Sequence, residues 1–257
     1  MTTRSERDPM ILKATKVLEL FAGNQTRFTF HEIASKLGGS SDEALLIVRT
    51  LESEGFLDHD FDKNAYRVGH RIFQLGMRYA SEMELAQTIR PYAISLSNRF
   101  REAVNVGFQV GTGVVVAMRI EPVNPFMVLP GPGTSIPIHS SSLGKALMAY
   151  QDESHVRHTL AATDMMAFTQ NTEQEITGLL ARLDEVRQRG YAVDDEETLK
   201  GVCSIAAPIL DHRSVAIAAI SLSGPRTHID PTNAEILDAV RETALQISRL
   251  LGFPYTD

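Results

Sequence analysis

The sequence predicts an α+β chain of two domains, a small N-terminal one and a larger C-terminal one joined by a helical connector. Three observations lead to this expectation. Apolar residues at helical spacing dominate the first 80 residues, where two short β-type runs also occur. A mostly helical stretch follows at 70–100. Beyond residue 104, hairpin signals alternate with helical segments, which is typical of an antiparallel sheet flanked by helices.

The N-terminal domain is predicted to contain three helices followed by a β-hairpin. Helices are expected over 10–22, over a short segment after Thr29 and over 42–54, and strands at 56–57 and 66–68. Thr29 is placed to cap the second helix together with Glu32, three residues later, as in a capping box. This order of elements is that of a winged helix-turn-helix module.

The C-terminal domain is predicted from two hairpins and the helices between and after them. Hairpin strands are expected at 104–110, 114–120, 204–210 and 215–223, a further strand at 126–129, and helices at 142–150, 152–161 and 172–189. The last helix is expected to have Asp230 as its N-cap and Pro231 at its first position, and to end just before Gly252.

Domain limits follow from these changes in pattern. The winged helix-turn-helix domain is expected over 1–78, a linker helix over 79–90 and the C-terminal domain over 91–257. Pro91 supports the second limit, because proline starts or kinks a helix.

Composition narrows the function classes. The formal net charge is -7, and residues 1–80 hold equal numbers of acidic and basic residues, so the excess of acid belongs to the C-terminal part. A neutral N-terminal domain still binds DNA where lysine and arginine face phosphates locally. The single cysteine, Cys203, excludes an internal disulfide and zinc sites built from several thiolates. With neither a secretory signal nor a long apolar run, a cytoplasmic protein without membrane contact is expected.

Eight segments, spread in order over the whole chain, resemble the IclR-type bacterial transcription regulators. They read KATKVLELFAG, TFHEIASKLG, RTLESEGFL, YRVGHRIFQLG, IPIHSSSLGKALMA, GYAVDDEE, SIAAPILD and AAISLSGP. The resemblance implies a winged helix-turn-helix joined by a helix to a GAF-like effector-binding domain. It also implies homodimers or dimers of dimers that bind palindromic double-stranded operator DNA.

Contacts to DNA are expected around the start of the third helix and in the wing, because the recognition helix presents its N-terminal residues to base edges. The candidates are Arg27, Thr29, Ser40, Ser41, Asp42, Leu45, Arg49, Lys63 and Arg67. An alternative remains open. Asp42 and Glu43 would repel phosphates, so the module could be degenerate and the regulator could act through protein partners.

The resemblance also implies an effector pocket between sheet and helices. Carried over onto this sequence, it comprises Ser142, Leu143, Asp194, Ser204, Ser221 and Ser223, with Met127 and Leu129 as an apolar wall. Ordinary core packing is the alternative for Met127 and Leu129. The serines at 140–142 open a helix, where free N–H groups and hydroxyls suit a carboxylate, although Ser141 or Ser142 could be an N-cap alone.

Two parts of this set have a further alternative interpretation. Ser221 and Ser223 share one face of a strand, so their hydroxyls need partners, either a ligand or backbone carbonyls. The run 194–197 is acidic throughout and is expected to be a solvated loop. The resemblance instead implies that Asp194 faces the pocket.

No catalytic constellation is expected. Cys203 is a candidate nucleophile only if His139 or His212 lies nearby, and a buried inert thiol is the alternative. His155 and His158 could share a metal ion on a helix but have no third ligand in the sequence, so solvent-facing histidines are expected. The sequence therefore predicts no enzyme, no cofactor and no metal. Together with the resemblance, it predicts a ligand-responsive, DNA-binding regulator that senses a small organic metabolite, a carboxylic or aromatic acid.

Overall fold

A computed structural model describes residues 8–22, 25–82, 84–122 and 131–254 of the chain. It divides into two compact units, Met1–Glu84 and Leu85–Asp257. The predicted strand at 126–129, with Met127 and Leu129, lies outside the described residues.

The first unit contains three helices, a two-stranded sheet and a fourth helix. They are α1 (Pro9–Leu20), α2 (Phe30–Leu37), α3 (Ser41–Ser53), β1 (Leu57–Asp60), β2 (Ala65–Val68) and α4 (His70–Glu82). Thr29 caps α2 in a full capping box with Glu32, as the sequence predicts. A small core under these elements includes Val17, Ile33 and Val48. The order and pairing of the elements are those of a winged helix-turn-helix.

The second unit is a six-stranded antiparallel sheet with helices on both faces. Its elements are α5 (Glu84–Phe100), β3 (Ala103–Val110), β4 (Gly113–Ile120), β5 (Ser135–Pro137), α6 (Ser142–Ala149), α7 (Glu153–Ala161), α8 (Ile176–Arg189), β6 (Ala192–Asp195), β7 (Val202–Leu210), β8 (Ala216–Pro225) and α9 (Ala234–Leu250). The strand order is β5-β4-β3-β8-β7-β6. The predicted α+β class is confirmed.

Alternation along the strands separates two apolar cores. On one face, Ile205 and Ile220 pack with Val240 of α9 and with α5. On the other face, Ala206 and Ala219 pack beneath α6 and α8. The second face is the one that carries the polar side chains discussed below.

Two predicted helix starts are wrong. The last helix begins at Ala234 with Asn233 as its N-cap, because the Asp230 carboxylate instead accepts hydrogen bonds from the backbone N–H and the hydroxyl of Thr232. The helix expected from residue 172 begins at Ile176, because the Thr172 hydroxyl donates to the carbonyl of Glu197 and holds its own segment in a loop.

Candidate functional site

A cavity of about 250 Å³ lies in the second unit, between the sheet and the start of α6. Its lining includes all six residues of the predicted effector set that the structure describes: Ser142, Leu143, Asp194, Ser204, Ser221 and Ser223. Apolar walls come from Val116, Ile136 and Leu199. Within the predicted set alone, the structure thus brings together residues that lie up to 81 positions apart in the sequence, from Ser142 to Ser223.

Strand register explains how these polar side chains meet. Asn105 pairs across the sheet with Arg119 on one side and Ser221 on the other. Ser204 pairs with Ser223 on one side and with Asp194 on the other. Directly paired residues point to the same face, so a polar row crosses five strands, from Arg119 on β4 to Asp194 on β6.

Hydroxyl and amide groups in this row bond to one another. The Ser142 and Ser204 Oγ atoms lie 2.6 Å apart, and Asn105 Nδ2 donates to Ser223 Oγ at 3.3 Å. Ser221 Oγ lies 3.4 Å from Ser223 Oγ. The partners of Ser221 and Ser223 are therefore side chains of the same row, not the backbone carbonyls that are one expectation from the sequence. A hydroxyl donates once and accepts twice, so each serine keeps capacity for a ligand.

The start of α6 faces the cavity with free backbone donors. Ser141 is the N-cap, accepting from Gly144 N at 3.2 Å and donating to the Pro137 carbonyl at 2.5 Å. The N–H groups of Ser142 and Leu143 have no hydrogen-bond partner among the described residues. First-turn N–H groups lack partners within their own helix and carry partial positive charge. This end of the cavity is therefore positively polarised.

The acidic run at 194–197 is not the solvated loop that its composition suggests. Asp194 and Glu197 are both buried. Asp194 Oδ1 accepts the backbone N–H groups of Glu197 at 2.8 Å and Thr198 at 3.1 Å, which turns the chain tightly after β6. Burial raises the pKa of the Asp194 carboxyl, while Lys145 and these N–H groups oppose the rise. The pocket-facing interpretation of Asp194 fits this geometry.

Behind Asp194, a buried ion pair joins α6 to the same turn. Lys145 Nζ lies 2.5 Å from Glu197 Oε1, with the two side chains only 2% and 7% exposed. Arg182 of α8 reaches the same oxygen at 3.2 Å. Burial lowers the pKa of Lys145 and raises that of Glu197, against their mutual attraction. Sequence reasoning missed this pair, although a lone lysine in the apolar segment SLGKALMA is a signal for one.

Arg119 is the second residue that sequence reasoning missed. Its side chain is 3% exposed and lines the cavity. Nη1 donates to Asn105 Oδ1 at 3.1 Å, and Nε lies 2.6 Å from Glu121 Oε1. An arginine at the end of the β-rich run VVVAMRI is a weak signal, because exposed strand ends carry arginine as well.

In the first unit, the candidate DNA contacts cluster around α3 and the β-hairpin. Ser40 caps α3 through Glu43 N, and Ser41, Asp42 and Arg49 are exposed. Leu45 is half-buried, while Leu46 is exposed.

Three of these candidate side chains already have partners within the protein, two in ion pairs and one in a helix cap. Arg27 pairs with Asp60 at 3.2 Å and Arg67 with Asp58 at 3.6 Å. The Thr29 hydroxyl serves its capping box. Lys63 lies in the turn of the hairpin, where its backbone N–H donates to Asp60.

The carboxylate of Glu43, one of the two acids that argue against DNA binding, has a cationic partner. Lys13 of α1 lies 2.5 Å from Glu43 Oε2. This neighbour offsets part of the negative charge at the start of α3.

The candidate nucleophile does not form a catalytic group. Cys203 lies in the core on the α9 face of the sheet, opposite the cavity, and burial raises the pKa of its thiol to about 12. His139 is buried elsewhere, with Nε2 3.1 Å from the Met166 carbonyl and its ring stacked on Phe168. His155 is exposed but contacts Gln109 rather than solvent alone.

Metal clusters and membrane spans are both absent from the residues that the structure describes. No group of three histidine, cysteine or acidic side chains in this part could hold a metal ion. None of the described helices combines the length and the apolar character needed to cross a bilayer.

A winged helix-turn-helix followed by an α+β unit with a ligand-sized cavity defines a class of protein, the ligand-binding transcription regulators. The family model described as bacterial transcriptional regulator IclR C-terminal matches residues 77–249. The glycerol operon regulatory protein of Streptomyces coelicolor is 35% identical over 244 residues, which cover 93% of this chain and 95% of that protein. The chain belongs to the IclR family of bacterial transcription regulators.

Solved structures agree with this assignment. The IclR crystal structure from Thermotoga maritima matches with a TM-score of 0.71 at 26% identity, covering 95% of this chain and 98% of that one. An IclR homologue from Microbacterium hydrocarbonoxydans, complexed with 4-hydroxybenzoate, has the same fold, with a TM-score of 0.80 at 23% identity and coverage of 94% and 98%. The relatives are named as regulators, which confirms the prediction that the chain is not an enzyme.

Proposed function

We propose that this regulator binds palindromic operator DNA through α3 and the β-hairpin and responds to a small organic acid, carboxylic or aromatic, held in the cavity of its second unit. It acts in the cytoplasm as a homodimer or a dimer of dimers. The observation on which the proposal rests is the cavity itself, because a polar row and a helix start converge on a space of metabolite size in a family of transcription regulators.

The DNA-binding part is supported by exposed groups around the start of α3. Ser41 and Arg49 are exposed on that helix, and the Lys13–Glu43 pair reduces the repulsion that Glu43 would exert on phosphates. A symmetric dimer would present two copies of α3 to successive major grooves, about 34 Å apart. Palindromic operators match such two-fold symmetry.

The acid class is supported by positive polarity inside the cavity. The guanidinium of Arg119 suits an anion, and the N–H groups of Ser142 and Leu143, which have no partner among the described residues, are further hydrogen-bond donors. Apolar walls from Val116 and Leu199 suit a carbon skeleton or a ring. The related protein that binds 4-hydroxybenzoate has the same fold.

A mobility-shift titration tests the DNA-binding part. The full chain is mixed with the upstream region of its own gene at several salt concentrations. Binding is expected to weaken steeply with salt, and Arg49→Ala should reduce the magnitude of the log–log slope by about 0.9 for each phosphate that the variant no longer neutralises. Arg157→Ala is the control, since Arg157 is an exposed arginine of the second unit, paired with Glu153. Salt-independent binding, or none, refutes the proposal.

A second candidate is a regulator whose helix-turn-helix is degenerate and which acts through protein partners. Asp42 and the exposed Leu46 favour it, because an acid beside an apolar side chain suits a protein surface better than phosphates. Loss of specific DNA binding together with retained ligand binding would support this candidate.

A further inference from the structure

We propose that Arg119 and Asn105 form an anion-binding subsite at one end of the cavity and that Asp194 and Ser204 bind a hydroxyl group at the other. The effector is then an organic anion that carries a hydroxyl group remote from its charge. This inference rests on the proposed function and specifies the ligand of the same site.

Arg119 is oriented for an anion by its neighbours. Asn105 takes one bond from Nη1 of Arg119, and Glu121 takes the bond from Nε. Within the described ranges, Nη2 has no hydrogen-bond partner. These two bonds hold the guanidinium plane in place and leave both N–H bonds of Nη2 and one of Nη1 free to donate to the oxygens of a carboxylate or phosphate.

Asn105 is also fixed, so the subsite is preorganised. Its Oδ1 accepts from Arg119, and its Nδ2 donates to Ser223 Oγ at 3.3 Å. The amide therefore has one orientation that satisfies both contacts. The Ser223 hydroxyl, which accepts from Asn105, keeps its own hydrogen for the ligand or for Ser221.

The start of α6 is the competing place for the anion, and its surroundings disfavour it. Ser142 Oγ lies 2.6 Å from Ser204 Oγ, and Ser204 is the direct cross-strand neighbour of Asp194. An anion beside Ser142 would therefore lie close to a buried carboxyl group, where repulsion is poorly screened. At the Arg119 end, the nearby carboxylate belongs to Glu121, which already pairs with Arg119 and is 63% exposed to solvent.

The Asp194 end suits a hydroxyl group instead. A ligand hydroxyl donates to a carboxylate or accepts from a serine, and both are present within one cross-strand pair. The two ends stand on β4 and β6, four strand spacings apart, or about 19 Å between backbones. Arg119 and Asp194 both line the same cavity, and Leu143 and Val116 add apolar surface to it.

Matched probes test this inference on the full chain by calorimetric titration. 4-Hydroxybenzoate and 4-hydroxyphenyl phosphate carry the anion and the hydroxyl, 4-hydroxybenzamide lacks the charge, and benzoate lacks the hydroxyl. Both hydroxylated anions are expected to bind. The ratio of their affinities distinguishes a carboxylate effector from a phosphate effector. The amide and benzoate should each bind about 10- to 100-fold more weakly than 4-hydroxybenzoate, the range for removal of a charged hydrogen bond.

Substitutions assign the two ends. Arg119→Met should reduce 4-hydroxybenzoate binding to that of the amide, and Arg119→Lys should restore part of it. Asp194→Asn keeps an oxygen that can accept the backbone N–H groups of Glu197 and Thr198. It should weaken the binding of 4-hydroxybenzoate but leave the affinity for benzoate unchanged. Arg157→Met is the matched control in the same unit. Melting temperatures of the unliganded variants check folding, and the probe series on the unsubstituted protein stands even if Arg119→Met does not fold.

Three outcomes would overturn the inference: binding of neither hydroxylated anion, equal binding of acid and amide, or undiminished acid binding by folded Arg119→Met. All three outcomes concern ligand binding and are independent of whether the protein binds operator DNA. If Arg119→Met keeps operator binding but loses 4-hydroxybenzoate, both proposals stand. If the unsubstituted protein fails to bind operator DNA, the proposed function fails while the ligand assignment remains measurable.

Discussion

His139 shows how one buried side chain can tie stability to pH. Its ring lies against Phe168, its Nε2 donates to the Met166 carbonyl, and its Nδ1 has no partner among the described residues. Burial lowers the pKa of His139 below its ordinary value of 6.5. The folded protein therefore keeps this ring neutral at a pH where the unfolded chain protonates it.

The sign of the pH effect follows from this difference. Below pH 6.5 the unfolded state binds a proton that the folded state excludes. The unfolding free energy therefore decreases as the pH is lowered, until the pKa of His139 in the folded protein is reached. Between pH 6.5 and 5.5 the protein should lose more unfolding free energy than His139→Gln does, by at most about 1 kcal/mol, because the unfolded chain is only half protonated at the upper pH. Urea unfolding at both pH values measures it. His158→Gln, at an exposed histidine of α7, should behave as the unsubstituted protein. Equal pH dependence in all three proteins would contradict the assignment.

At the level of single residues, the sequence predicts the serines that line the cavity better than it predicts the buried charged side chains in and beside it. Resemblance singles out Ser204, Ser221 and Ser223, and strand register explains why they meet. Arg119 and Lys145 escape prediction, because burial of a charge depends on a partner brought in by another element. No regular sequence spacing links Asn105 to Arg119 or Glu197 to Lys145, so the sequence does not reveal either pair.

Between elements, the segment after β6 is tied to its surroundings by several side chains. Lys145 of α6 pairs with Glu197, and the Ser140 and Thr198 hydroxyls lie 3.0 Å apart. Thr172 donates to the Glu197 carbonyl at 2.6 Å. Since Thr198 also lines the cavity, these bonds fix one wall of the candidate effector site.

Removing the cation of this buried pair should be costly. Lys145→Met leaves Glu197 buried with Arg182 as its remaining cation, and we expect a loss of about 3 kcal/mol in unfolding free energy. Lys145→Met/Glu197→Met should recover part of that loss, because the uncompensated charge is gone. Chemical denaturation measures both.

The matched control for this prediction is a surface pair. Arg157→Met removes the exposed partner of Glu153 and should cost less than about 1 kcal/mol. If Lys145→Met were no more damaging than this control, the buried pair would contribute little and another contact would have to fix the wall.

Local signals predict most element types and miss some boundaries. The capping box at Thr29 is predicted correctly, because it involves only neighbours in sequence. The predicted start of α9 is misplaced, because Asp230 and Asn233 are both good capping residues and the Asp230 carboxylate instead forms a local turn with Thr232. Thr172 likewise bonds to Glu197, 25 residues away, which no local pattern reveals.

At the scale of the whole molecule, charge and function are divided between the units. Residues 1–80 are neutral overall, so the proposed DNA binding there would depend on a few placed cations, whereas the acidic excess belongs to the remainder of the chain. A buried cavity in that acidic part needs its own local cation to hold an anion, and Arg119 supplies one. Each unit thus departs locally from its average charge.

Coupling between the two sites must be reciprocal. If 4-hydroxybenzoate changes operator affinity by some factor, operator DNA must change 4-hydroxybenzoate affinity by the same factor, and about 5- to 150-fold is the usual range. We expect equal factors when operator binding is titrated with and without the acid, and acid binding with and without operator. Arg119→Met should abolish both effects while leaving operator binding without ligand unchanged. Independent affinities in both experiments would mean that the protein binds DNA and ligand without connecting them, and its regulatory role would then need another trigger.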